Sequence, residues 1–254
     1  MVFYVVYSVP KEYKSRGLIP KRLKALGCRR IYGSFWEVNE RKIDEILKVI
    51  GDNQPILLRR TRDIRKPLYD GEGNLVDFGS LIVLVYNPEN DGNAKIKWLL
   101  AKTPYVKLCR SVYAFPQNSD RYERRGGVFE INNLLMLVKE HSKDAAIFSR
   151  VVIVNSGEVM STLIERVKSR VARKTEKILN GYKDLIDTFY AGQAEKKYLV
   201  EREKKLYSEF KHLRKLILFY EKWLKIDFTK EMMKIYSVMR KIRLLKENLK
   251  ESGV

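Results

Sequence analysis

A short phrase occurs twice in this chain of 254 residues, each time after an apolar run that ends in tyrosine. Val5-Val6-Tyr7 precedes Cys28-Arg29-Arg30-Ile31-Tyr32-Gly33, and Leu84-Val85-Tyr86 precedes Cys109-Arg110-Ser111-Val112-Tyr113-Ala114. The two tyrosines are 79 positions apart and the two cysteines 81. Self-similarity at a nearly fixed period is the mark of an internal duplication. We therefore expect two copies of one small unit, packed side by side as a pseudo-dimer.

Each copy shows the same order of strand and helix patterns. In the first copy they cover Phe3–Val9, Leu18–Leu26, Cys28–Val38, Ile43–Ile50 and Ile56–Leu58. In the second copy they cover Leu81–Tyr86, Asn93–Lys102, Lys107–Phe115, Ile131–Lys139 and Ala146–Val154. A charged, glycine-bearing segment from Pro67 to Gly79 separates the copies as a hairpin tip or linker. The order predicts an α+β protein with two tandem ferredoxin-like (βαββαβ) repeats, at residues 1–78 and 79–156.

The last part of the chain, residues 157–254, has a helical pattern almost throughout and contains no proline. Its clearest helix has an apolar seam that steps by fours and threes, through Leu206, Phe210, Leu213, Ile217, Tyr220 and Leu224. A heptad seam of this kind is typical of a coiled coil. We expect a basic C-terminal domain built as a helical hairpin or a three-helix extension. The seams would pack within the chain, in a homodimer, or on a partner protein.

The charge of the chain indicates a polyanionic partner. It carries 51 Lys and Arg against 31 Asp and Glu, a formal net charge of +20. Such an excess is expected of a protein that binds DNA or RNA, although a heat-adapted surface rich in charges of both signs is an alternative. No window approaches the roughly 20 apolar residues of a membrane span, and the N-terminal residues follow a strand pattern instead of the pattern of a cleavable leader. We expect a cytoplasmic protein with no membrane partner.

The sequence contains few residues that could bind a zinc ion or form a disulfide. The two cysteines, Cys28 and Cys109, occupy the same place in the two phrases, which favours small buried thiols that begin matching strands over a disulfide. The two histidines, His141 and His212, are far from both cysteines in sequence, so a zinc site is not expected. We predict no metal site, no cofactor and no catalytic residue.

Three basic clusters are candidate nucleic-acid contacts. The first follows the last strand of repeat one, where alternation places Arg60 and Arg62 on one face and Arg59 on the other; it comprises Arg59, Arg60, Arg62, Arg65 and Lys66. The second lies in a glycine-bearing loop, where arginines would bind phosphate and a tyrosine could stack on a base; it comprises Arg121, Tyr122, Arg124 and Arg125. The third steps by fours and threes along one helix face as a phosphate track or a solvated face; it comprises Arg166, Arg170, Arg173 and Lys177.

Several phrases resemble a known family. Tyr7-Ser8-Val9-Pro10, the basic helix that ends at Leu26-Gly27, and Gly33-Ser34-Phe35-Trp36-Glu37 are similar to the small ferredoxin-like CRISPR-associated nuclease of the spacer-integration complex. They are also similar to the N-terminal domain of chromate-resistance regulator proteins. The resemblance implies a Mg²⁺-binding aspartate at the end of each first strand.

This chain departs from that pattern at both positions. Ser8 and Asn87 stand where the resemblance would place the aspartates, and neither supplies the negative charge that such a metal ion favours. The carboxylates nearby in sequence are Glu12, Glu37 and Glu89. A nuclease that acts through that site is therefore not expected.

Three functions follow from these observations. The first is a non-catalytic nucleic-acid-binding protein, whose duplicated body and basic helices contact the phosphate backbone largely without reading sequence. The second is a Mg²⁺-dependent nuclease of the CRISPR-associated type, which needs a carboxylate pair that the sequence does not reveal. The third is a protein-assembly module that acts through the heptad helices.

Overall fold

The computed structural model describes residues 1–9, 17–87, 93–117, 131–142, 144–191 and 196–251. These residues form ten β-strands and seven α-helices. The main sheet is antiparallel, and the three longest helices come last in the chain. The predicted α+β class and the helical C-terminal part are thus confirmed.

The first half of the sheet comes from residues 3–60. Its elements are β1 (Phe3–Val6), α1 (Leu18–Ala25), β2 (Arg29–Tyr32), β3 (Phe35–Val38), α2 (Ile43–Ile50) and β4 (Ile56–Arg60). A 3₁₀ turn, Glu40–Lys42, leads into α2, and Gly51 ends that helix at φ +56°. Glycine suits this position because other residues rarely adopt a positive φ.

The second half follows a small hairpin. The hairpin consists of β5 (Leu68–Tyr69) and β6 (Leu75–Asp77), which confirms a hairpin within Pro67–Gly79. The half itself comprises β7 (Leu81–Val85), α3 (Ala94–Lys102), β8 (Val106–Cys109), β9 (Val112–Pro116), α4 (Ile131–His141) and β10 (Ala146–Ile153). The Asn93 side chain caps α3 by accepting bonds from the Lys95 and Ile96 amides at 3.0 and 3.2 Å.

Both halves have the same connectivity. The sheet order is β2-β3-β1-β4-β10-β7-β9-β8, with β4 paired antiparallel to β10. In each half the first strand lies between the third and the fourth, and the second strand lies outside the third. The eight strands therefore form two equivalent four-stranded halves that join through their last strands.

The sheet bends sharply at this junction. The Phe148 ring of β10 lies 5.2 Å from the Tyr4 ring and 5.3 Å from the Phe35 ring, measured between centroids. In a flat sheet, β3 and β10 would be about 14 Å apart at roughly 4.8 Å per strand. A break in β10 permits the bend, because Phe148 pairs with β7, Val151 begins the pairing with β4, and Arg150 between them has φ +58°.

Two helices pack on one face of the sheet in each half. In the first half, α1 and α2 bury Ile19, Leu23, Ile46 and Ile50 against alternate residues of β1 and β3. In the second half, α3 and α4 bury Ile96, Leu100, Leu134 and Val138 in the same way. Tyr4, Phe35 and Phe148 belong to the opposite faces, so their ring contacts bring together the faces of the two halves that lie away from α1 to α4.

The tyrosines of the repeated phrases occupy equivalent positions. The amide of Tyr7 donates to the Ser34 carbonyl at 3.3 Å, and the amide of Tyr86 donates to the Ser111 carbonyl at 2.9 Å. In addition, Val6 pairs with the first residue of β3, and Val85 pairs with the first residue of β9. The turn Gly33-Ser34 in one half is therefore equivalent to the turn Arg110-Ser111 in the other.

The cysteines are not equivalent, so this part of the predicted repeat is wrong. Cys28 precedes β2, whereas Cys109 is the last residue of β8. Both are free and buried. The segments Cys28–Val38 and Lys107–Phe115 were each predicted as one strand, but both are hairpins. The sequence pattern does not show the break, because apolar residues flank both turns.

The C-terminal part consists of α5 (Ser156–Tyr190), α6 (Lys196–Leu224) and α7 (Thr229–Glu251). All six residues of the predicted heptad seam of α6 are buried. The Arg170 guanidinium of α5 donates to the Tyr220 hydroxyl of α6 at 2.7 Å, and the rings of Phe210 and Tyr236 join α6 to α7 at 5.3 Å. The seam thus packs among helices of the same chain.

The chain forms two compact units, Met1–Val167 and Lys168–Val254. The first contains both halves of the sheet and the start of α5, and the second contains the remaining helical residues. The division into three domains stays a prediction. Among the described residues, no helix has both the length and the apolar character needed to cross a bilayer.

Candidate nucleic-acid interface

The first basic cluster lies where β4 leaves the sheet. Arg59 is half-buried and shares a face with Leu57, on the helix-covered side, while Arg60 is exposed on the opposite face. This agrees with the predicted alternation. The strand ends at Arg60, so Arg62 lies in the irregular segment beyond it, where Arg65 and Lys66 are also exposed.

Hydrogen bonds from the second half hold this segment in place. The Thr61 amide donates to the Arg150 carbonyl at 2.8 Å, and the Arg150 guanidinium donates to the Arg62 carbonyl at 3.1 Å. The Arg65 amide donates to Ser80 Oγ at 2.8 Å, and the Ser80 amide returns a bond to the Arg65 carbonyl at 2.9 Å. Arg150, which the sequence did not single out, therefore belongs to this site.

We call these six residues the junction cluster: Arg59, Arg60, Arg62, Arg65, Lys66 and Arg150. Between residues 59 and 66 the one acid is Asp63. Gln117 ties the two sides together, since its amide donates to the Ser80 carbonyl at 2.9 Å and its Oε1 accepts from the Arg150 amide at 2.6 Å. The cluster thus sits on a hydrogen-bonded backbone and not on a loose loop.

The second predicted cluster, Arg121, Tyr122, Arg124 and Arg125, lies outside the described residues, as do Glu12 and Glu89.

The third predicted cluster does not present four equivalent cations. Arg166 is half-buried and donates to the carbonyl of Lys107 at 3.1 Å, to the carbonyl of Leu108, and to Gln54 Oε1 at 2.7 Å. Burial lowers the pKa of its guanidinium. Arg166 therefore joins β8 of the second half to the segment before β4 of the first, and it acts as a structural clamp.

The remaining three members of the stripe belong to the helical unit. Arg170 donates to Tyr220, Arg173 donates to the Ser169 carbonyl of its own helix at 3.2 Å, and Lys177 forms an ion pair with Glu209 at 3.7 Å. The groove beside Arg173 and Lys177 also contains Glu176, Asp184 and Glu209. A groove of mixed charge is a weaker phosphate track than the sequence predicted.

A cleft between the two equivalent turns was missed in the sequence. We call it the turn cleft; it measures about 540 Å³ and is lined by Arg30, Ile31, Tyr32, Gly33, Ser34, Asn87, Arg110 and Ser111. Burial raises the pKa of the nearby Tyr7 phenol, and smaller effects come from Arg30, which lowers it, and Cys109, which raises it. The two phrases did contain both arginines, but only the paired turns bring them to one cleft.

Among the described residues, the carboxylates are not grouped as a metal ion would need. The Arg29 guanidinium donates to Glu37 Oε2, which engages that carboxylate in an ion pair. The described residues contain no group of three or more His, Cys, Asp or Glu placed to hold a metal ion. Ser8 is half-buried and its amide donates to the Asn53 carbonyl at 2.9 Å, while Asn87 lines the turn cleft.

No known family model, curated protein or solved structure matches this chain.

Proposed function

We propose that this chain is a non-catalytic nucleic-acid-binding protein and that the junction cluster is its principal contact with phosphate. The observation that carries the proposal is the run of five cations with a single acid in residues 59–66, on a backbone segment that Arg150 and Ser80 hold by hydrogen bonds. Five of the six residues of the junction cluster are arginines, and an arginine can bind one phosphate through two parallel hydrogen bonds.

The rest of the first unit supports the same function. The outer face of α1 carries Lys21, Arg22 and Lys24, all exposed, and that helix contains no acid. A net charge of +20 attracts a polyanion from a distance and favours contacts that depend on salt more than on base sequence. The described chain offers no helix-turn-helix, so backbone contact is the expected mode.

We further propose that each half of the sheet is a ferredoxin-like unit. The support is the order of elements, strand-helix-strand-strand-helix-strand, with the first strand between the third and the fourth in both halves. On this proposal the chain is a fused counterpart of the small CRISPR-associated nuclease that it resembles. Ser8 and Asn87 then mark a metal site that has lost its charged ligands.

The test is the salt dependence of binding to single-stranded and duplex DNA and to RNA. Each phosphate contact contributes about 0.7 to 0.9 to the slope of log K against log salt. Replacing three exposed junction cations with glutamine should weaken binding and lower the slope by about 2; the variant is Arg60→Gln, Arg62→Gln and Arg65→Gln. Arg59 stays, because it is half-buried under the helices.

A matched control removes three exposed cations that sit beside acids, namely Arg41→Gln, Lys48→Gln and Lys139→Gln. It should leave the slope nearly unchanged. Equal slopes for both triple variants would refute the junction cluster as the contact. Incubation of the same substrates with Mg²⁺ should give no cleavage, and cleavage that follows the purified protein would refute the non-catalytic assignment.

A further inference from the structure

The turn cleft has the features of a built anion site. Among the described residues that line it, the charged ones are Arg30 and Arg110, one from each half, and none is a carboxylate. Ser34, Ser111 and Asn87 add two hydroxyls and an amide, all of which can donate hydrogen bonds to phosphate oxygens. A volume of about 540 Å³ is that of a small-molecule site.

Arg30 is held in place before any ligand arrives. Its Nε donates to the Gly33 carbonyl at 2.8 Å, and its guanidinium carbon lies 5.7 Å from the centre of the Trp36 ring. Trp36 is fully buried, so this ring is a rigid platform. Among the described residues no acceptor is bonded to the two terminal nitrogens of Arg30, which leaves that end of the side chain for a ligand. Fixing one arginine in advance lowers the entropy cost of binding.

The opposite wall is equally fixed. Ser111 is 4% exposed and holds φ +66°, and its carbonyl accepts the Tyr86 amide at the end of β7. The equivalent Ser34 carbonyl accepts the Tyr7 amide in the first half. The two turns thus anchor to the first strands by the same bond and present Arg30 and Arg110 to one space.

Charge and shape together select the ligand. Two guanidinium groups on one cleft favour a ligand that carries more negative charge than a backbone phosphodiester, which carries one. A terminal phosphate monoester carries about −1.5 to −2 at pH 7 and offers three strong acceptor oxygens. Tyr32, half-buried in the lining, has the ring on which an adjoining base can stack.

From this arrangement we infer that the turn cleft binds the terminal phosphate of a nucleotide, with Arg30 and Arg110 on the phosphate and Tyr32 beside the base. The inference rests on the proposed function and deepens it, since the phosphate would belong to the end of a bound strand. The junction cluster would hold the strand, and the turn cleft would recognise where it ends.

The experiment compares oligonucleotides of one sequence that differ only at their ends. Single strands with a 5′-phosphate, a 3′-phosphate or hydroxyls at both ends are titrated by fluorescence anisotropy. The fluorescent label is placed on the end opposite to the one whose phosphate is varied. We expect one phosphorylated end to bind at least tenfold more tightly than the hydroxyl form, since a hydrogen bond to a charged group is commonly worth a tenfold change or more. Arg30→Gln and Arg110→Gln should each remove most of this preference.

Arg29→Gln is the matched control. Arg29 lies on the same strand as Arg30, and replacing it removes the same charge. The Arg29 side chain, however, is engaged by Glu37 and does not line the cleft. The variant should keep the preference. The junction triple variant should weaken all three oligonucleotides by the same factor and leave their ratio unchanged.

The outcomes separate the two proposals. Tight binding of all three oligonucleotides with equal affinity would overturn the turn cleft while the proposed function stands. No binding of any oligonucleotide would overturn the proposed function. If a free nucleoside monophosphate binds and depends on both arginines when the oligonucleotides do not, the phosphate chemistry holds and its source is a free nucleotide. Thermal unfolding of each variant shows that a lost preference is not a lost fold.

Discussion

Arg166 gives the sharpest distinction between a binding role and a structural role. Replacing it with methionine keeps the apolar stem of the side chain and removes three hydrogen bonds. Hydrogen bonds to charged groups contribute about 1.5 to 3 kcal/mol each in favourable cases. Arg166 is only half-buried, and its carbonyl acceptors can partly rehydrate, so we expect a total loss of about 3 kcal/mol.

The assay is urea unfolding followed by circular dichroism, combined with amide exchange. A loss of about 3 kcal/mol corresponds to a midpoint shift of about 1 M urea or somewhat more. Because the chain has two compact units, peptides that cover β8 and the segment around Gln54 should be followed separately. Their exchange should accelerate, since these are the two segments that Arg166 joins.

Arg173→Met is the control from the same predicted stripe. Arg173 is exposed and, within the described part of the chain, donates only to its own helix, so its loss should cost about 0.5 kcal/mol or less. If Arg166→Met is as stable as this control and instead weakens nucleic-acid binding, the structural clamp is refuted. The phosphate track predicted from the sequence would then be correct for Arg166.

Two further predictions concern the first unit. A Cβ added at Gly79 would lie 2.6 to 2.7 Å from backbone atoms of residues 65–67, at φ +69°, so Gly79→Ala should cost more than about 2 kcal/mol in thermal unfolding. Gly71→Ala, in open space, should be nearly neutral, and similar costs at both sites would contradict the close approach. Burial raises the pKa of the Cys109 thiol to about 12 from an ordinary 9.0. Its contribution to stability is complete below pH 9 and falls as pH rises toward 12, because the unfolded thiol ionises first. The free energy of unfolding should therefore drop more from pH 8 to pH 10.5 in the native protein than in Cys109→Ala, and equal drops would refute a buried neutral thiol.

The fold was more predictable than its details because hydrophobic periodicity is a local signal. The helix patterns of both copies, the break at Pro67–Gly79 and the seam of α6 all depend on neighbouring residues, and the structure contains each of them. The turns Gly33-Ser34 and Arg110-Ser111 were missed. The turn Arg110-Ser111 contains no glycine or proline, and Ser111 adopts φ +66°, a conformation that the sequence does not indicate.

The repeated cysteines show why similarity of short phrases can mislead. Tyr7 and Tyr86 are equivalent because each makes the same backbone bond to a turn. Cys28 and Cys109 are not, although their phrases match, because burial selects small apolar side chains at many places in a sheet. Equivalence in a duplication is therefore established by strand register and not by residue identity.

The candidate sites depend on contacts that are distant in sequence, and this limits what a linear pattern can reveal. Arg150 joins the junction cluster through a bond to a residue 88 positions away, and Arg166 leaves its predicted stripe through a bond to a residue 112 positions away. Even spacing on a helix predicted that Arg166 would act with Arg170 and Arg173. The burial of Arg166 prevents this, because a half-buried guanidinium must form its hydrogen bonds within the protein. A guanidinium bonded in this way is poorly placed to bind phosphate. The two arginines of the turn cleft differ from Arg166, since both are exposed and the paired turns bring them from separate halves of the sheet to one opening.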